Sequence, residues 1–147
     1  MNIQTAWQTD FDFWGDLPVR VEPSQAQLTS DAGLLPLRQF DELIGLTQQF
    51  AQALDDSRAP ECCSHTFLEM ARSRIYGILA DYEDQNDHDS LRYDPVFKLI
   101  ANRSPDADPL ASQPTLSRFE NAISIAALKR LRDLFIDQFI ASFATPP

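Results

Sequence analysis

Between Phe67 and Tyr82 the apolar residues recur every three or four positions. Phe67, Leu68, Ala71, Ile75, Ile78, Leu79 and Tyr82 form one stripe, with Glu69, Arg72, Ser73 and Tyr76 opposite. That period is helical, because 3.6 residues per turn bring positions i, i+3, i+4 and i+7 onto one face. The pattern extends to both sides. Leu34, Leu37, Phe40, Leu43 and Ile44 predict an earlier helix, capped by Ser30 or Asp31 and stopped by Gly45. Thr47 caps a short second helix that reaches Leu54, and Ser64 opens the helix carrying the stripe. Asp87 or Asp89 caps a short helix through Leu91, and Asp94-Pro95 starts the next, with Val96, Phe97, Leu99 and Ile100 apolar and Lys98 outward.

Prolines 105, 109 and 114 mark a loop over 103–114. A short helix follows around Leu116–Ala122, capped by Thr115 or, through the Ser117-x-x-Glu120 spacing, by Ser117. Ser124 caps the last helix, Ile125 to about Phe143. There Lys129, Arg130, Arg132 and Asp133 share one side, and Leu128, Leu131 and Phe135 the other. Its second half is apolar all round, which predicts burial against a partner. The fold class is therefore all-α, a bundle of about six helices over 29–147. Residues 1–28 read as an extended arm. In it Trp7, Phe11, Phe13 and Trp14 stand among Asp10, Asp12 and Asp16, and Pro18–Pro23 alternates enough for a short strand. Such aromatics need a groove, either on the chain's own helices or on a second subunit or further domain.

Several function classes fall away. No apolar run is long enough for a membrane span, and Met1-Asn2-Ile3-Gln4-Thr5 is not the start of a signal peptide. Cys62 and Cys63, adjacent and alone, suit a reducing cytoplasm, and a Cys–His zinc site would need both of them and both histidines at unsuitable spacing. Four glycines leave no phosphate loop, dinucleotide motif or nucleophile elbow. The acidic turn Asp81-Tyr82-Glu83-Asp84-Gln85-Asn86-Asp87-His88-Asp89 offers hard oxygen ligands but not the glycine and glutamate of a calcium loop, so it reads as caps and a solvated turn. No cofactor is expected.

The net charge of −10 argues against a polyanion partner, yet it is unevenly spread. Residues 91–135 carry seven Lys/Arg against five acids, the one net-positive stretch. Within it lies Ser112-Gln113-Pro114-Thr115-Leu116-Ser117-Arg118-Phe119-Glu120-Asn121. Gln113 and Arg118 have the reach to read adenine and guanine edges, Asn121 shares their exposed edge, and Thr115 and Ser117 suit phosphate oxygens. Leu116 and Phe119 would anchor the helix inward. Lys98, Arg103, Lys129, Arg130 and Arg132 add basic character in the same window. The segment is similar to the recognition helix of a helix-turn-helix, although the loop before it is longer than the usual 3–4 residues.

Leu28-Thr29-Ser30-Asp31-Ala32-Gly33-Leu34-Leu35, Gly77–Asp87, Leu91-Arg92-Tyr93-Asp94-Pro95 and Leu110–Asn121, in that order, together resemble bacterial insertion-sequence transposases. The resemblance is to the N-terminal part of DDE-domain group one and runs from about residue 19 to 143. It implies cut-and-paste transposition by an RNase H-like domain whose D-D-E triad binds two Mg²⁺ ions, preceded by a helical region that helps bind double-stranded DNA at the terminal inverted repeats. No aspartate of this chain matches a triad member, so the expectation is a non-catalytic DNA-binding piece without the catalytic domain, Mg²⁺ belonging to that domain. The expected location is the bacterial cytoplasm, at the nucleoid. The alternative is a helical assembly module that pairs with itself or with a transposase catalytic domain, inhibiting a full-length transposase.

Overall fold

The computed structural model describes residues 9–12, 19–21, 28–54, 56, 58 and 63–143. Trp7, Phe13, Trp14 and Cys62, named above, lie outside the described residues. Two short strands, β1 (Thr9–Phe11) and β2 (Val19–Val21), pair antiparallel with Asp10 opposite Arg20. Seven α-helices follow among the described residues: α1 (Leu34–Ile44), α2 (Leu46–Ala53), α3 (Phe67–Leu79), α4 (His88–Leu91), α5 (Pro95–Ile100), α6 (Gln113–Asn121) and α7 (Ile125–Ala141). The molecule is mainly helical, as the periodicity predicts.

The caps explain most boundaries. Asp94 accepts from the amides of Val96 and Phe97 at the start of α5, and Ser124 accepts from Ala127 at the start of α7. Gly45, at φ 67°, closes α1 in the left-handed conformation and lets α2 begin at once. Thr47 is therefore not a cap but a buried side chain inside α2. The cap of α3 is Thr66 rather than Ser64: its hydroxyl accepts from Glu69 N at 3.1 Å while Glu69 returns to Thr66 N at 2.9 Å, a reciprocal capping box. Helix α6 starts at Gln113, earlier than the sequence suggests, because Pro114 falls in the first turn, where a missing N–H costs nothing.

Two apolar clusters form the core. Val19 of β2 packs with Leu34, Tyr76, Phe97, Ile100 and their neighbours, and Met70, Ala71, Leu116, Phe119 and Leu131 gather around Leu54. Phe97 takes the edges of both Tyr82 and His88, which fastens the acidic turn to α5.

The helices turn differently from the sequence reading in four places. In α1 the buried residues are Leu34, Leu35, Arg38 and Asp41, and Leu37, Phe40 and Leu43 face outward. In α3 Met70, Ala71, Arg72, Ser73, Tyr76 and Gly77 are buried, whereas Ile78 and Leu79 are exposed. The cause is a polar interior between these helices. Asp41 accepts from Thr47 N at 2.8 Å and from the Thr47 hydroxyl, Arg72 Nε donates to Thr47 Oγ1 at 3.0 Å, and Arg38 Nε donates to Ile100 O at 3.1 Å. Buried charge survives only when paired and hydrogen-bonded; Asp41, Thr47 and Ile100 O supply those partners, although Arg72 Nη1 has no hydrogen-bond partner among the described residues. Lys98 is buried rather than outward, donating to Pro105 O at 2.9 Å and Ala107 O at 2.8 Å. In α7 the buried residues are Ala127 and Leu131, and Leu128 and Phe135 are exposed; the C-terminal half, for which the sequence predicts a partner, is largely exposed within the chain.

Candidate nucleic-acid interface

Helix α6 lies on the core through Leu116 and Phe119, both buried, with Phe119 meeting Phe67 edge-on. That anchor leaves Arg118 and Asn121 exposed and Gln113, Thr115 and Ser117 half-buried. Arg118 donates to Thr115 Oγ1 at 3.2 Å, one turn back on the same helix. Asn121 donates to Ser117 O at 2.8 Å. The opposite flank is clamped. Arg74 of α3 donates to Glu120 at 2.6 Å and to Glu83 O at 3.2 Å, while Gln85 of the acidic turn donates to the other oxygen of Glu120. Gln113 reaches back toward Gln85 at 3.5 Å. The acidic turn thus serves as the support that orients α6. Neither Thr115 nor the Ser117–Glu120 capping box caps this helix, because α6 already starts at Gln113 after Ser112 and Thr115 and Ser117 lie inside it; Glu120 is instead engaged by Arg74 and Gln85.

Behind the clamp, His88 sits buried with its Nε2 3.2 Å from Arg74 and its ring against Gly77, where a Cβ would come within 3.0 Å of Nε2. Burial and then the neighbouring Arg74 push its pKa down to about 4.

The basic candidates separate into two groups. Lys129 and Arg132 are exposed on α7, Arg132 paired with Asp133 at 2.6 Å. Arg130 is half-buried and donates to Ala53 O at 2.9 Å, tying α7 to α2. Arg103 ties the loop after α5 to the start of α3, pairing with Glu69 and donating to Ser64 O at 2.8 Å. Together with the positive charge of Arg103, burial holds the His65 pKa below its usual value. Lys98, as above, secures the following loop.

Arg58 was not anticipated. It lies with Phe67, Thr115, Arg118, Phe119 and Ile123 around a cleft of about 320 Å³, stacking 4.4 Å above the Phe67 ring. Its fork to Asp56, at 2.7 and 2.6 Å, raises its pKa and lowers that of Asp56. It stands in a loop with no periodicity or motif, so nothing in the sequence singles it out.

Among the described residues no three His, Cys, Asp or Glu side chains gather to hold a metal ion. Asp84 instead accepts from Asn86 N at 2.9 Å as a cap, so the acidic turn does not fit a magnesium pair. Among the described residues, no helix is long and apolar enough to cross a membrane.

No curated protein and no solved structure matches the chain. Residues 11–147 match the family described as transposase DDE domain group 1. With nearly its whole length inside that match, the chain belongs to the transposase DDE domain group 1 family, and its role is related to transposition.

Proposed function

We propose that this chain binds double-stranded DNA during transposition, reading the terminal inverted repeats with the outward edge of α6 and holding the backbone with α7. The observation that carries this reading is the state of Arg118. It is exposed on a helix whose other side is fixed by Leu116, Phe119 and Glu120, and among the described residues no carboxylate pairs with it. A guanidinium on a rigid support is suited to a bidentate contact with guanine, and Asn121, Ser117 and Thr115 beside it supply polar contacts to bases or phosphates. Lys129 and Arg132 serve as phosphate contacts. Lys98 is buried and supports the interface without touching DNA, and the half-buried Arg103 is held by Glu69 and Ser64 O. In this reading the described residues recognise DNA and do not cut it, and the work is done at the bacterial nucleoid.

Fluorescence anisotropy with an inverted-repeat duplex and a shuffled duplex, at two salt concentrations, tests the proposal. Arg118→Ala lowers affinity for the repeat by about 1–3 kcal/mol and narrows the gap between the two duplexes. Lys129→Ala weakens both duplexes about equally and reduces the salt slope by about one. If neither change alters binding, or the wild-type chain does not distinguish the duplexes, this face is not the reader.

A further inference from the structure

Three arginines from separate segments meet at the start of α3. Arg58 comes from the loop after α2, Arg92 directly follows α4, and Arg103 lies in the loop after α5. Two of them grip consecutive carbonyls: Arg103 Nη2 donates to Ser64 O at 2.8 Å and Arg58 Nη2 to His65 O at 3.1 Å. The half-buried His65 stands beside them, its Nδ1 3.3 Å from Arg103 Nη2. Arg92 is close enough to act on the same imidazole, and its Nε is buried with no hydrogen-bond partner among the described residues.

Positive charge is in excess here. Glu69 pairs with Arg103 and Asp56 with Arg58, but among the described residues no carboxylate pairs with Arg92. Nη1 of Arg58 and Nη1 of Arg103 make no hydrogen bond among the described residues. Like charges gathered from three segments repel one another, so the arrangement favours an anion that shares the space. The cluster also continues from α6, because Arg58 and Arg118 line the same cleft.

We propose that Arg58, Arg103 and Arg92 form a phosphate site beside His65, where the DNA strand leaving α6 lays its backbone. The site rests on α6 as the DNA-reading helix. A nucleic-acid strand is the occupant that fits, since the cations run in a row from Arg118 through Arg58 to Arg103 and a strand presents its phosphates in a row. Guanidinium groups, planar and with several donors each, suit such oxygens. Arg58 and Arg103 keep their carbonyl contacts and offer Nη1.

Occupation has a proton signature. In the free chain, burial and the charges of Arg103, Arg92 and Arg58 hold the His65 imidazole below its usual pKa of 6.5; Glu69 opposes them, and Asp56 faces Arg58. A phosphate set among those arginines offsets their charge and restores the basicity of His65. Binding then takes up protons as the pH falls, and affinity rises with acidity.

Anisotropy titrations of the full chain with the repeat and shuffled duplexes, at about pH 6 and about pH 8 and at two salt concentrations, test the site. Wild-type affinity for both duplexes is about two- to fivefold higher at the lower pH, and His65→Gln removes that difference. His88, with its pKa pushed down to about 4, and the carboxylates are common to both proteins and cancel. Arg58→Gln and, separately, Arg92→Gln weaken both duplexes by about three- to tenfold and lower the salt slope by about one, with the helical circular-dichroism signal intact. Lys129→Ala, on α7, keeps the pH dependence. Binding that prefers the repeat but ignores Arg58→Gln and Arg92→Gln, or that stays as pH-dependent in His65→Gln, overturns the site and leaves α6 as the reader. Binding that responds to these changes but does not distinguish the duplexes supports the site and overturns α6 as the reader. A folded chain that binds neither duplex overturns both.

Discussion

Replacing Asp41 by alanine lowers the unfolding free energy by about 3–5 kcal/mol, the cost of leaving buried charge without its partner. Asp41 is the acceptor around which the polar interior is built. Both of its oxygens take hydrogen bonds from Thr47, and Arg38 Nη1 lies 3.6 Å away. Arg72 reaches the same centre through Thr47 Oγ1. Burial, followed by the proximity of Arg38, already lowers the Arg72 pKa, so the two guanidinium groups oppose each other when the acid between them is gone. Glu42 pairs with both arginines but is exposed, and its charge is screened by solvent. Urea titration reads the effect as a lower midpoint at unchanged slope. A loss below about 1 kcal/mol, the size of an ordinary substitution, would mean that the arginines rely on other groups.

Acidification produces the second large effect, through His88. In the unfolded chain its imidazole titrates near 6.5; in the folded chain burial and Arg74 lower that to about 4. Above pH 6.5 both states are neutral and the folded state keeps its full stability. Between those values the unfolded chain takes up a proton that the folded chain refuses, and stability falls by about 1.4 kcal/mol per pH unit, to a total of about 3 kcal/mol. Below about 4 both states are protonated and this loss stops. The loss also bears on α6, since a cationic His88 would repel the Arg74 that holds Glu120. Urea midpoints across this range, compared with those of His88→Gln, isolate the residue, because the carboxylates and His65 are common to both proteins. Equal pH slopes in the two would sink the assignment.

The helices, their order and several caps are legible in the sequence because they depend on local chemistry. Asp94-Pro95, Gly45 and Ser124 act within one turn of themselves, and the 3.6-residue period marks where helix exists. Which side of a helix faces inward is a different matter. In α1 the apolar period points to Leu37, Phe40 and Leu43, yet Arg38 and Asp41 are inside because Thr47, Arg72 and Ile100 O answer them from other elements. Ile100 stands 62 residues from Arg38, and no window of sequence registers that match. The same limit applies to the candidate interface. Leu116 and Phe119 reveal the inward side of α6 and so the outward place of Arg118. Lys98 and Arg103, basic residues in a basic window, are indistinguishable by composition from Lys129, although carbonyls hold Lys98 inside and Glu69 pairs with the half-buried Arg103.

Helix α7 leans chiefly on α2, and its ties are long in sequence: Arg130 to Ala53 across 77 residues and Gln138 to Ile44 across 94. Closing loops of that length costs entropy before any contact rewards it, so α7 docks after the local pairs α2–α3 and α3–α5 have formed. The reverse order governs opening. Helix α7 swings away while Phe97 and Tyr76, in the cluster that α7 does not touch, remain enclosed, and its amides exchange hydrogen with solvent before those of α3 do.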